Sequence, residues 1–202
     1  MMDYLQLMQN RSSIRSYLDK EISKKDLSYI LECARLSPSS LGLEPWRFLI
    51  FQNKKHKKEI SQIANNQAHV QNCAAIVVVL ARADFKEYFE EKMKKKKLSQ
   101  EKIDMYLNIY KPFIDGMNLE QSFAYAREQC HIASTNIINA TFNLNLGACV
   151  IGGFDQDKIN QYLKLDINKQ RVSLLITLGY PSTEIKGEKF RFDFNEVVEF
   201  KD

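Results

Sequence analysis

The chain is poor in the residues that break regular structure. Only seven of its 202 residues are glycine and four are proline, so each cluster of them is informative. The four cysteines, Cys33, Cys73, Cys130 and Cys149, are scattered among apolar neighbours with no C-x-x-C. That suits buried free thiols in a reducing compartment and excludes a disulfide framework. The three histidines, His56, His69 and His131, have no metal-ligand spacing to one another or to the cysteines, which argues against a zinc site. No apolar run approaches the roughly 20 residues that span a bilayer. The N-terminus, MMDYLQLMQNRSS, has an acid at position 3 and no apolar stretch of the kind a signal peptide needs. A cytoplasmic protein without membrane contact is expected.

A strong excess of one charge is also missing. A net charge of +4 suits an anionic ligand but falls short of a nucleic-acid binder. The one dense basic run, KMKKKKLSQEK (Lys92–Lys102), has no glycine or aromatic interleaving and sits among Glu87, Glu90, Glu91 and Glu101. It reads as a solvated helix face or loop. Length and an ordinary composition, 45% hydrophobic and 27% charged, predict one domain over residues 1–202.

Ser23 and Asp26 resemble a capping box ahead of a helix that must end before Pro38. WRFLIF reads as a short buried strand and HKKEISQIANNQ as a modest helix. AAIVVVLA is apolar on both faces, so it belongs in the middle of a sheet. From Asn118 to Leu146 there is neither proline nor glycine, and apolar residues recur at threes and fours. This predicts a long amphipathic helix, with Gly147 placed to end it in the left-handed conformation. VSLLITLG is another buried strand. In the tail, Phe190, Phe192 and Phe194 fall on one side of an extended segment set off by Pro181 and Gly187. That apolar side needs a partner, which a second subunit can supply. The fold class is α+β, with helices enclosing a sheet.

Four stretches can carry chemistry. Arg11, Ser12, Ser13 and Arg15 in NRSSIRSY can grip a phosphate, although a serine-capped helix end explains the fragment by itself. Lys189 and Arg191 present two cations from one face, as a solvated edge strand also would. SPSSLGLE offers backbone N–H groups, hydroxyls and a glycine, suited to covering a flat ligand or to an ordinary loop. IGGFD can bring bare backbone against a ligand or simply turn the chain. It is not G-x-G-x-x-G.

In this order, R-x-S-x-R, SPSSLGLEPW, IGGFD and K-x-R, the set resembles the FMN-dependent nitroreductases, and among them the oxygen-insensitive NAD(P)H nitroreductases. The resemblance covers nearly the whole chain. It implies a nitroreductase-like sandwich with a central mixed sheet flanked by helices. It also implies a homodimer with exchanged C-terminal tails and FMN at the interface. Arg11, Ser12, Ser13, Lys189 and Arg191 would then surround the FMN phosphate. Arg15 and Gln67 would meet the pyrimidine edge. Pro38, Ser39 and Ser40 would reach the flavin from the partner subunit, and Gly152 and Gly153 would lie near N5. The implied reaction is hydride transfer from NAD(P)H to nitroaromatic or quinone-like acceptors by a ping-pong mechanism. Flavin reductase, enal reductase, reductive dehalogenase and a non-enzymatic FMN-binding dimer are the alternatives. Substrate-binding candidates are Leu41, Tyr110, Phe113 and Phe123, with Tyr106 nearby in the variable segment 84–123. Two positions depart from the family pattern: Gly152 replaces a common glutamate, and Val70 a common lysine.

Overall fold

The computed structural model of the chain describes residues 3–183 and 189–201. In chain order come helices α1 (Tyr4–Asn10) and α2 (Lys24–Arg35), a 3₁₀ turn at Ser40–Gly42, and strand β1 (Trp46–Phe51). Helices α3 (Lys54–Ile63) and α4 (Ala68–Asn72) lead to strand β2 (Ala75–Arg82). Helices α5 (Phe85–Lys94), α6 (Gln100–Asp115) and α7 (Leu119–Asn143) follow, then strand β3 (Gly147–Ile151). Helix α8 (Gln156–Tyr162), strand β4 (Gln170–Gly179) and one helical turn, α9 (Phe194–Val197), complete the described chain.

The strands form one sheet in the order β1-β2-β4-β3, with every ladder antiparallel. Among the described residues, the parallel component of the expected mixed sheet is one bridge, Ser13 to Ala148, outside the four strands. Both faces of β2 are buried. Ala75, Val77, Val79 and Ala81 enter one core, while Ile76, Val78 and Leu80 enter the other. Helices α2, α5 and α7 cover the first side, and α3, α4 and α8 the second. β4 changes phase midway, because the register with β2 shifts between Val79 and Leu80 and Ser173 is left over. Val172 therefore faces the second core and Leu174 the first.

Local signals set the helix ends. The Ser23 side chain caps α2 by accepting from the Asp26 N–H at 3.0 Å. Asn118 and Gln121 form a reciprocal capping box at the start of α7. The end of α7 corrects one expectation: the left-handed residue is Asn145, with φ 56°, and Gly147 instead begins β3. The lack of a side chain serves packing there, since a Cβ on Gly147 would lie 2.7 Å from Ile14. Gly179 plays the same part at the end of β4, where a Cβ would lie 2.6 Å from the Tyr17 ring. The segment from Ser13 to Tyr17 is thus pressed onto two glycines at the strand ends.

The tail from Lys189 to Asp193 belongs to no helix or strand and has no partner strand among the described residues. Phe190 is 93% exposed and Phe200 83%, with Phe192 and Phe194 also on the surface. Gly187, expected to help set off the tail, lies outside the described residues.

Gly179→Ala should destabilise the protein by about 1–3 kcal/mol through overpacking, lowering Tm by roughly 2–12 °C. Gly152→Ala, whose Cβ would meet nothing within 4 Å, should stay within about 0.5 kcal/mol of the native protein. Thermal unfolding of the pair reads both.

Candidate functional site

The segment after α1 runs along the free edge of the sheet. Arg11 caps α1 with an N–H to the Leu7 carbonyl, and its backbone is already extended. Ser13 bridges to Ala148, and the Ile14 N–H donates to the Ala148 carbonyl at 3.0 Å. Tyr17 bridges to Pro181. The tail returns to the same place, where the Lys189 ammonium donates to the Met8 carbonyl in α1. Desolvation, then the charges of Arg11 and Arg191, hold Lys189 below the usual lysine range. Three of the expected phosphate-binding cations therefore meet in space, although Arg11 and Arg191 stand at opposite ends of the sequence. Ser12 and Ser13 lie on the same edge segment as Arg11, half-buried and exposed respectively.

Arg15 extends this edge towards β3 and α4. Burial raises the Cys149 thiol, and Arg15 and Ser13 act in the opposite direction, which puts both beside Cys149. Burial foremost, with Arg15 second, lowers the pKa of His69 on α4. The His69 Nε2 is buried with no hydrogen-bond partner, the kind of group that normally finds one. Gln67, at the start of α4, spends its amide nitrogen on the carbonyls of Ala64 at 2.8 Å and Gly153 at 3.0 Å. Only its side-chain oxygen is left to face a ligand. The Asn65 amide also donates to the Gly153 carbonyl, at 3.1 Å.

The glycine turn is open. Gly152 and Gly153 are exposed at the end of β3. A glutamate at Gly152 would meet no obstacle at its Cβ. Val70, in contrast, is fully buried in the second core, where it serves packing.

The loop carrying Pro38, Ser39 and Ser40 belongs to a different neighbourhood. Its sharp path needs positive φ at Leu41 (56°), Gly42 (66°) and Glu44 (50°), conformations that cost non-glycine residues free energy. It is held from both sides. The Ser40 N–H donates to Gln129 at 2.8 Å, and Tyr125 shares a hydrogen bond with the Ser40 hydroxyl. Lys92 donates to the Leu43 carbonyl at 3.1 Å and Lys96 to that of Leu41 at 3.2 Å. Two members of the basic run are thus loop anchors as well as solvated cations. Among the described residues, the loop makes no hydrogen bond to the Arg11–Arg15 segment or the glycine turn.

Of the substrate candidates, Phe113 is 54% exposed and meets Tyr125 edge to face at 5.9 Å. Both line an open cavity of about 550 Å³ together with Pro112, Met117 and Glu128. Tyr106 and Tyr110 stack at 5.7 Å, and Leu41 is half-buried against the first core. Phe123 is 3% exposed, with the Arg171 guanidinium 3.9 Å from its ring centre, and it lines a separate cavity of about 230 Å³. Sequence reasoning missed Asn65, His69, Tyr125 and Gln129. Only the last two had a readable signal, being four apart on one helix and so sharing a face.

Cys73 and Cys130 offer no nucleophile. Burial pushes the Cys73 and Cys130 thiols up to about 12, so neither is a thiolate at neutral pH.

Comparison with known proteins identifies the family. The profile of the Nitroreductase family matches residues 8–180. A Haemophilus influenzae protein, provisionally named an NAD(P)H nitroreductase, is 35% identical over 97% of this chain and 95% of its own length. The oxygen-insensitive NADPH nitroreductase of Helicobacter pylori is 31% identical, covering 93% of both chains. A provisionally named nitroreductase of Exiguobacterium sibiricum, solved in complex with FMN, superposes with a TM-score of 0.89. At 22% identity it covers all of this chain and 98% of its own, and so speaks to the fold. With residues 8–180 matched by the family profile and relatives above 30% identity along almost their whole length, the chain belongs to the nitroreductase family.

Proposed function

We propose that the chain is an FMN-dependent oxidoreductase, working as a homodimer, that passes two electrons from NAD(P)H to nitroaromatic or quinone-like acceptors in a ping-pong cycle. The observation that carries this reading is the meeting of Arg11, Lys189 and Arg191. Like charges brought together cost free energy, and a phosphate dianion offsets that cost through charge-assisted hydrogen bonds. Two further features fit FMN: the uncovered Gly152 backbone and the unpartnered His69 Nε2 near Arg15. The FMN complex of the Exiguobacterium relative and the NADPH nitroreductase of Helicobacter pylori support the cofactor and the donor.

When bound, FMN supplies the redox centre, accepting a hydride from NAD(P)H and returning two electrons to the acceptor. The side chains bind, orient and tune. Arg11, Lys189 and Arg191, with the hydroxyls of Ser12 and Ser13, would hold the phosphate. The free oxygen of Gln67 can accept from a ring N–H, and Arg15 adds a permanent positive charge at that edge. Gly152 and Gly153 keep side chains away from the hydride path. Pro38, Ser39 and Ser40 of a second copy would close the opposite wall, which makes two half-sites into a whole one. The bare phenylalanines of the tail support the dimer, since burying each such ring stabilises by about 1.5–3 kcal/mol.

An anaerobic NADPH titration tests the reading. A yellow protein whose flavin absorbance bleaches directly is the expected result, and a colourless protein that rejects added FMN overturns it. Arg191→Ala should weaken FMN binding roughly 10- to 100-fold, the equivalent of losing one hydrogen bond to a charged group; flavin fluorescence quenching measures this. Arg15→Ala should leave a yellow protein whose two-electron midpoint potential is lower by roughly 30–60 mV. An unchanged potential would remove Arg15 from the tuning role.

A further inference from the structure

A cavity lies where the edge segment passes α3. Its volume is about 650 Å³, and its lining includes Tyr17, Asp19, Lys54, Lys57, Lys58 and Gln71. None of these residues belongs to the set assigned above to FMN. Helix α3 opens with four lysines in its first five residues and has no acid in its first turn. Helix N-termini carry partial positive charge and normally attract acids, so here two sources of positive potential coincide.

Local acids do not balance them. Asp19 faces Lys54 at 3.4 Å, and both are almost fully exposed, a pair that contributes little. Glu59 is engaged elsewhere, accepting from Tyr162 at 2.7 Å and lying 3.7 Å from His56. Lys57 is only 7% exposed. Its ammonium donates to the Cys73 carbonyl, and no carboxylate among the described residues lies within 4.0 Å of it. Buried lysines are rare unless paired, and one neutral acceptor for three N–H groups leaves donors to satisfy.

We infer that this cavity binds the phosphate group of a small molecule, a phosphomonoester or a pyrophosphate, with Lys57 at its base and Lys54 and Lys58 at its rim. The assignment is independent of the FMN reading. The phosphate can come from the nicotinamide donor or from a separate phosphorylated metabolite.

The test is calorimetric titration of the FMN-loaded protein with inorganic pyrophosphate, so that the first cation set is already filled. If the protein does not hold FMN, the same titration is run on Arg191→Ala, which disables that set. Saturable binding is expected, weakening with salt. It should fall at least about tenfold in Lys58→Glu, the cost of reversing one adjacent charge, and be lost in Lys57→Met. Lys58 is exposed, so its variant should retain the native Tm and keeps the test valid if Lys57→Met unfolds. Absence of saturable binding to the wild type, or unchanged binding in Lys58→Glu, overturns the site. Competition by pyrophosphate against NADPH in steady-state turnover assigns the site to the donor. Binding without competition assigns it to a separate metabolite.

Discussion

A strand pair that is apolar on both faces can leave neither to water, and β2 and β4 are such a pair. Two helical layers must therefore enclose the sheet. The middle of the sheet is then committed to packing, and chemistry is left to its margins. At one margin, β3 offers unpaired backbone, and the segment through Ser13 and Ile14 pairs with it at Ala148. That pairing fixes Arg11 and Arg15 on either side of a backbone bridge. It is possible only because Gly147 and Gly179 make room for Ile14 and Tyr17. The core thus determines the position of the charges without touching them.

The interior contributes little reactivity of its own. The buried thiols are inert, and burial also raises the Tyr17 and Tyr88 phenols above their ordinary values. What the chain does assemble is a set of fixed cations, exposed amides and bare backbone. Such groups orient a ligand and respond to charge developing on it, but they carry no electrons. A protein of this kind supplies binding and electrostatics to a cofactor that performs the reaction.

Much of this was legible in the sequence because the signals were local. The double-sided strand, the cap at Ser23, and the loop forced by Pro38 follow from residue types within a few positions. Gly147 was misread because a glycine after a helix has two uses, a left-handed end or a close approach, and only the position of Ile14 decides between them. Lys189 and Arg191 look like an ordinary solvated edge until the fold returns them to Arg11. Tyr125 and Gln129 hold Ser40 from about 90 positions away in sequence; their spacing marks a shared helix face but does not say that Ser40 lies against it. Phe123 was indistinguishable from its aromatic neighbours, because exposure is a tertiary property.

The two departures from the family pattern differ in kind. Val70 is sealed in the second core, where a lysine would have to carry its charge out to solvent or lose it. The packing around α4 has therefore closed this position to a charged side chain. Gly152 remains open, and nothing nearby prevents a longer side chain. His69 adds no compensating charge, since burial and Arg15 both favour its neutral form. Arg15 is a fixed positive charge on the stretch of this edge beside β3 and α4. Its placement rests on main-chain pairing to β3 rather than on an ion pair. A guanidinium positioned that way keeps its field directed at the site, whereas a carboxylate partner would have cancelled much of it.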